Sequence, residues 1–135
     1  MDIKDGIRYA GTIAGYSELR SYQAEMLQGF AAGKDGFMCV PTGGGKSAVF
    51  ECAPYLQHFL NTEGKPDTVK IDTTVLIISP LVSLMRTQCA ELRERGLAAA
   101  YVTDVSMENQ TSEDASTFCT VDQVRCRPIF ICNLN

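Results

Sequence analysis

Eight consecutive residues, Val40-Pro41-Thr42-Gly43-Gly44-Gly45-Lys46-Ser47, carry the types and spacing needed to hold a polyphosphate. Successive glycines let the backbone curl until several N–H groups converge on one anion. Lys46 adds a mobile positive charge that can reach the β and γ phosphates. Ser47 offers a hydroxyl to Mg2+, a cation that prefers hard oxygen ligands. Val40 stands where the full pattern G-x-x-x-x-G-K-[ST] has its first glycine. A chance Gly-Gly-Gly-Lys-Ser run in a surface loop is the competing explanation.

Such a loop works only if its neighbours aim it. Residues 37–40 (Phe-Met-Cys-Val) read as a buried strand, and a helix is expected from Lys46, its positive end directed at the same anion. Strand, glycine loop, Lys-Ser and helix follow in the order the chemistry requires, which argues against chance. Pro54 is expected to kink or end that helix after Cys52, with a further turn or two to Leu60. Upstream, residues 1–14 read as an arm. A helix is expected from residue 17 or 21 to 32, with Tyr22, Met26, Leu27 and Phe30 on one face and Gly33 just past its end.

Downstream, residues 61–70 are polar with Gly and Pro and read as a surface loop. Residues 73–79 (Thr-Thr-Val-Leu-Ile-Ile-Ser) show no alternation and read as a strand buried on both faces. A helix over 81–95 would turn Leu81, Leu84, Met85, Ala90 and Leu92 inward and stop at Gly96. Residues 98–102 and 128–132 are further strand candidates, the last expected at an exposed sheet edge. Residues 104–120 are polar, with a helical stretch expected at 113–120. Alternating strands and helices imply an α/β architecture with a parallel sheet, its loop at a strand's carboxyl end.

The 135 residues fit one domain, and a 45% hydrophobic composition is enough to build a core. A net charge of −4 excludes nucleic-acid binding by bulk charge, though not by a local basic groove. The six cysteines (39, 52, 89, 119, 126 and 132) form no C-x-x-C pair, and His58 is the sole histidine, so zinc-ligand spacing is absent. All six read as reduced thiols, Cys39 and Cys52 as small hydrophobes, and His58 as a core residue. The first residues lack a signal-peptide apolar stretch and no run has membrane-spanning length. A soluble intracellular protein with no membrane partner is expected, nuclear if eukaryotic.

Three blocks in order resemble the RecQ group of superfamily 2 DNA helicases. Gly15-Tyr16-Ser17-Glu18-Leu19-Arg20-Ser21-Tyr22-Gln23 is similar to that family's adenine-recognition motif, with Leu19 in place of the usual aromatic. Pro41 to Ser47 is the family's form of motif I, in which the first loop position need not be glycine. Ile78-Ser79-Pro80-Leu81-Val82-Ser83-Leu84-Met85 is similar to motif Ia. The resemblance implies a P-loop NTPase with a RecA-like parallel sheet and flanking helices, incomplete here, over residues 15–135.

It implies roles as well. ATP and Mg2+ would be the cofactors, held by Thr42, Gly43, Gly44, Gly45, Lys46 and Ser47, with Lys46 the catalytic cation and Ser47 the metal ligand. Tyr16 and Arg20 would sandwich the adenine and Gln23 would bond its edge. Ser79, Pro80, Leu81 and Ser83 would meet single-stranded or duplex-junction DNA. Read singly, Tyr16 could be a core aromatic, Gln23 a surface residue, Arg20 half of an ion pair, and Ser79 a helix cap.

No Asp-Glu-x-His or Asp-Glu-x-Asp run occurs in the sequence. In the family that pair holds Mg2+ and activates the attacking water. Two readings therefore follow. One is the N-terminal part of a RecQ-like, ATP-dependent 3′-to-5′ DNA helicase of recombination or repair, inactive by itself and joined to the remainder of a larger protein. The other is a non-catalytic nucleotide-binding or interaction module from a truncated gene or splice form.

Overall fold

A computed structural model describes residues 2–66, 71, 73–102 and 129–132. The chain divides after Thr73 into two compact units.

The first unit is three helices: α1 (Ile3–Ala14), α2 (Ser21–Ala31) and α3 (Ser47–Asn61). The arm expected at residues 1–14 is in fact α1. Asp2 caps it, its carboxylate accepting the Lys4 N–H at 3.0 Å. Its buried face is made of small residues, Gly6, Ile7, Ala10, Gly11 and Ala14. Small side chains let α1 lie close on α3: a Cβ at Gly6 would stand 2.8 Å from Phe59 Cδ1 and 2.9 Å from Leu56 Cδ1. The helix-weakening Gly6 is thereby offset by packing that only the folded chain supplies.

Helix α3 runs through Pro54 instead of ending near it. An interior proline costs about 3 kcal/mol through its lost N–H and ring clash. The surroundings outweigh this, because every residue from 51 to 56 is buried where α1 and α2 pack on α3. His58 is buried as expected. On α2 the apolar face is narrower than its spacing predicts. Leu27 and Gln23 are buried, whereas Phe30 is exposed.

The segment 37–40 forms no strand. Phe37 is 91% exposed and Cys39 is exposed too. A strand needs a partner to satisfy its backbone groups. The first unit contains no other strand among the described residues.

The second unit holds β1 (Val75–Ile78), α4 (Val82–Glu94), β2 (Ala99–Val102) and β3 (Ile129–Cys132). The strands form a parallel sheet in the order β1-β3-β2. β3, last in sequence, is therefore central and not the exposed edge expected of it. Ile129 and Ile131 are fully buried. Helix α4 packs on β2 and β3 through Met85, Cys89 and Leu92. Leu81, Leu84 and Ala90, expected inward, are exposed, because the buried stripe is narrow and consists of Met85, Cys89 and Leu92. β1, at an edge, leaves Leu76 and Ile78 more than half exposed, so it is not buried on both faces.

The helix expected at 113–120 lies outside the described residues. No described helix is long and apolar enough to cross a membrane.

Candidate functional site

The glycine-rich loop opens with a turn in which Gly44 N–H donates to the Pro41 carbonyl at 2.9 Å. Gly43, third in that turn, has φ 82°, as a type II turn requires. Gly45 follows at φ 80° and Lys46 is already helical, so α3 begins at Ser47 with its amide end on the loop. None of the amides of Gly45, Lys46 and Ser47 donates to a backbone carbonyl among the described residues. Lys46 is exposed and Ser47 half-buried.

What holds the loop comes from the N-cap and first turn of α2. Gln23 Nε2 donates to the Gly45 carbonyl at 2.8 Å. Arg20 Nη1 donates to the Gly44 carbonyl at 3.2 Å, and the Tyr22 hydroxyl donates to the same oxygen. In a trans peptide the carbonyl and the next N–H point to opposite sides. Pulling the Gly44 and Gly45 carbonyls toward this segment therefore turns the N–H groups of Gly45 and Lys46 away from it. Amides turned this way at a helix N-terminus suit an anion. A side chain at Gly45 would be strained at φ 80°, and its Cβ, 2.5 Å from Gln23 Nε2, would push that amide aside.

Gln23 is 4% exposed. Its other amide end is occupied as well: Oε1 accepts the Arg20 N–H at 2.8 Å, the reach-back half of a capping box that starts α2. Gln23 is thus no surface residue. Arg20, a possible ion-pair partner on sequence grounds, instead bonds Tyr22 and the loop. Its loop carbonyl lies 24 residues along the chain.

Tyr16 is placed by the end of α1. Gly15 adopts φ 90°, its N–H reaches the Thr12 carbonyl at 3.2 Å, and Tyr16 N–H reaches the Gly11 carbonyl at 2.8 Å. These are the two bonds of a Schellman motif. The Tyr16 hydroxyl donates to Glu51 Oε2 on α3 at 2.5 Å. Tyr16, Ile7, Leu19 and Gln28 are among the residues lining a cleft of about 420 Å³, within the size range of ligand pockets.

In the second unit, Ser79 is buried, its hydroxyl 3.5 Å from the Leu81 carbonyl. Pro80, Leu81 and Ser83 are exposed in sequence between β1 and the first turn of α4. Leu81, not Ser79, occupies the N-cap position, and no side chain caps it.

Tyr22 and Glu51 were not singled out by sequence reasoning. Tyr22 counted only as an apolar helix position. Glu51, in an otherwise apolar helix run, was the available signal, because a carboxylate is seldom buried without a partner.

A family model for the DEAD/DEAH box helicases matches residues 20–132. The chain belongs to the DEAD/DEAH box helicase family. Within that family its likeness is to RecQ-type proteins. It is 35% identical over 101 residues to the ATP-dependent DNA helicase Q-like SIM of Arabidopsis thaliana, covering 75% of this chain and 10% of that protein. It is 33% identical over 82 residues to the probable ATP-dependent DNA helicase RecS of Bacillus subtilis, 61% of this chain and 14% of the relative. It is 30% identical over 100 residues to the ATP-dependent DNA helicase RecQ of the same organism, 73% of this chain and 15% of the relative. The chain thus spans 10 to 15% of the length of these helicases.

Proposed function

We propose that this chain is the ATP- and DNA-binding portion of a RecQ-like, ATP-dependent 3′-to-5′ DNA helicase that unwinds duplex DNA in recombination or repair, built on a RecA-like P-loop fold. The observation that carries the reading is the loop at the start of α3, whose Gly44 and Gly45 carbonyls are held by Arg20, Tyr22 and Gln23. The residues fit MgATP by their donor chemistry. The amides of Gly45, Lys46 and Ser47 and the Lys46 ammonium would take the phosphates, Gly43 and Gly44 form the turn that aims them and Thr42 lies in the same loop, and the Ser47 hydroxyl would take Mg2+. Bound Mg2+ supplies charge neutralisation of the polyphosphate. Tyr16 and Arg20 are assigned to the faces of the adenine. Gln23 is assigned to the adenine edge, its amide able to donate and accept at once. Residues 79–83 supply the DNA contact, Pro80, Leu81 and Ser83 from exposed positions.

The test is Lys46→Ala in the full chain, followed by titration with MgATP. Binding is expected to be lost, and unchanged affinity would overturn the loop assignment. One observation favours the narrower reading of a non-catalytic nucleotide-binding module. Without an Asp-Glu-x-His run, these residues bind nucleotide but do not position the attacking water. Measurable MgATP hydrolysis by this chain alone would exclude it.

A further inference from the structure

We infer that Glu51 is a specificity-determining, positioning residue of the nucleotide site: its buried carboxylate fixes the Tyr16 ring against which a nucleobase stacks. The inference rests on the adenine reading proposed above and adds a residue to it.

Glu51 is 6% exposed. A carboxylate removed from water to this degree needs strong hydrogen-bonding partners, and one of them is the Tyr16 hydroxyl at 2.5 Å. Tyr16 is consequently held at both ends. Its backbone is set by the Schellman bond to Gly11 at 2.8 Å, and its hydroxyl by α3. An aromatic ring fixed at Cα and at Oη has its long axis fixed. Tyr16 nevertheless remains half-buried and borders the cleft described above, so the ring is anchored without being covered.

The anchor point matters as much as the anchoring. Glu51 stands four residues beyond Ser47 on α3, about one helical turn. The helix whose start presents the phosphate loop therefore also carries the carboxylate that sets the ring. The spacing between a stacked base and the polyphosphate is then defined by one rigid element. Preorganisation of this kind reduces the ordering cost of binding, and it acts only on ligands that have a base.

Two probes separate the roles: MgATP, and Mg-tripolyphosphate, which has the phosphates and no base. In the full chain, Glu51→Leu is expected to weaken MgATP binding about tenfold, the equivalent of one bond to a charged group. Tripolyphosphate affinity should stay unchanged. Glu51→Gln, which keeps an acceptor oxygen, should restore MgATP affinity to within about threefold of native. Tyr16→Phe keeps the ring and removes the hydroxyl. It should reproduce the Glu51→Leu effect, and the double variant should add nothing further. It also decides the matter if Glu51→Leu does not fold. A native chain that prefers MgATP, with variants that keep the same preference, overturns the role of Glu51 alone. A native chain that binds both probes equally overturns the adenine reading, and this inference with it. Equal loss of both probes in Tyr16→Phe shows a merely structural role and overturns the inference as well.

Discussion

Replacing Gln23 by Leu tests how the phosphate loop is held. The substitution nearly conserves volume and removes two hydrogen bonds, Nε2 to the Gly45 carbonyl and Oε1 from the Arg20 N–H, both 2.8 Å. The site is 4% exposed, so water does not readily replace either partner. At roughly 0.5–1.5 kcal/mol net per bond, the loss is about 1–3 kcal/mol of folding stability. Urea denaturation followed by far-UV circular dichroism reads that quantity. The loop should suffer too, since a freed Gly45 carbonyl no longer turns the Lys46 amide toward an anion. MgATP and Mg-tripolyphosphate should both bind more weakly, by about tenfold for a loss near 1.4 kcal/mol. Gln23→Glu separates the two bonds. It retains an acceptor for Arg20 and sets a carboxylate oxygen against the Gly45 carbonyl, so loop binding should fall while the start of α2 survives. The reasoning is refuted if Gln23→Leu leaves stability and tripolyphosphate affinity at native values. Loss confined to discrimination between ATP and GTP would mean that Gln23 acts on the base alone.

Gly6→Val should destabilise the chain by about 1–3 kcal/mol, because a side chain there meets Phe59 and Leu56 inside 3 Å; an unchanged denaturation midpoint would show that α1 does not lie close on α3. Tyr9, whose ring centroid is 5.4 Å from that of Phe59, has its phenol raised above the usual tyrosine range by burial. Its folded pKa exceeds its unfolded one, so the contribution is intact below about pH 10 and is lost as pH rises through the folded value. Thermal melts between pH 8 and 11 should show this decline, and Tyr9→Phe should reduce it.

Much of the local structure was legible. The end of α2 was marked by Gly33, that of α4 by Gly96, and β1, β2 and β3 by β-branched or apolar runs. These signals lie within a few residues of what they determine. The misses share a different cause. α1 escaped notice because its packing face is built from glycine and alanine, which carry little hydrophobic signal, although Asp2 and Gly15 bracketed it. The strand expected at 37–40 had suitable residues, but strand formation depends on a partner that propensity does not reveal. Pro54 by itself signals a helix end, but burial of the whole turn around it is a property of the packed chain. The place of β3 last in the described chain suggests an edge, whereas sheet order is a matter of crossover topology.

The candidate site divides in the same way. The phosphate chemistry proposed for it rests on five adjacent residues, Gly43 to Ser47, because side-chain type and backbone freedom are local properties, and three motifs in order resemble those of the family. What the sequence alone left open is who holds those residues. The bond from Gln23 to Gly45 spans 22 positions and that from Tyr16 to Glu51 spans 35. Such pairings arise only when helices pack and buried polar groups must find partners away from water. The tertiary structure therefore decided that Gln23 and Tyr22 grip the loop and that Glu51 meets Tyr16.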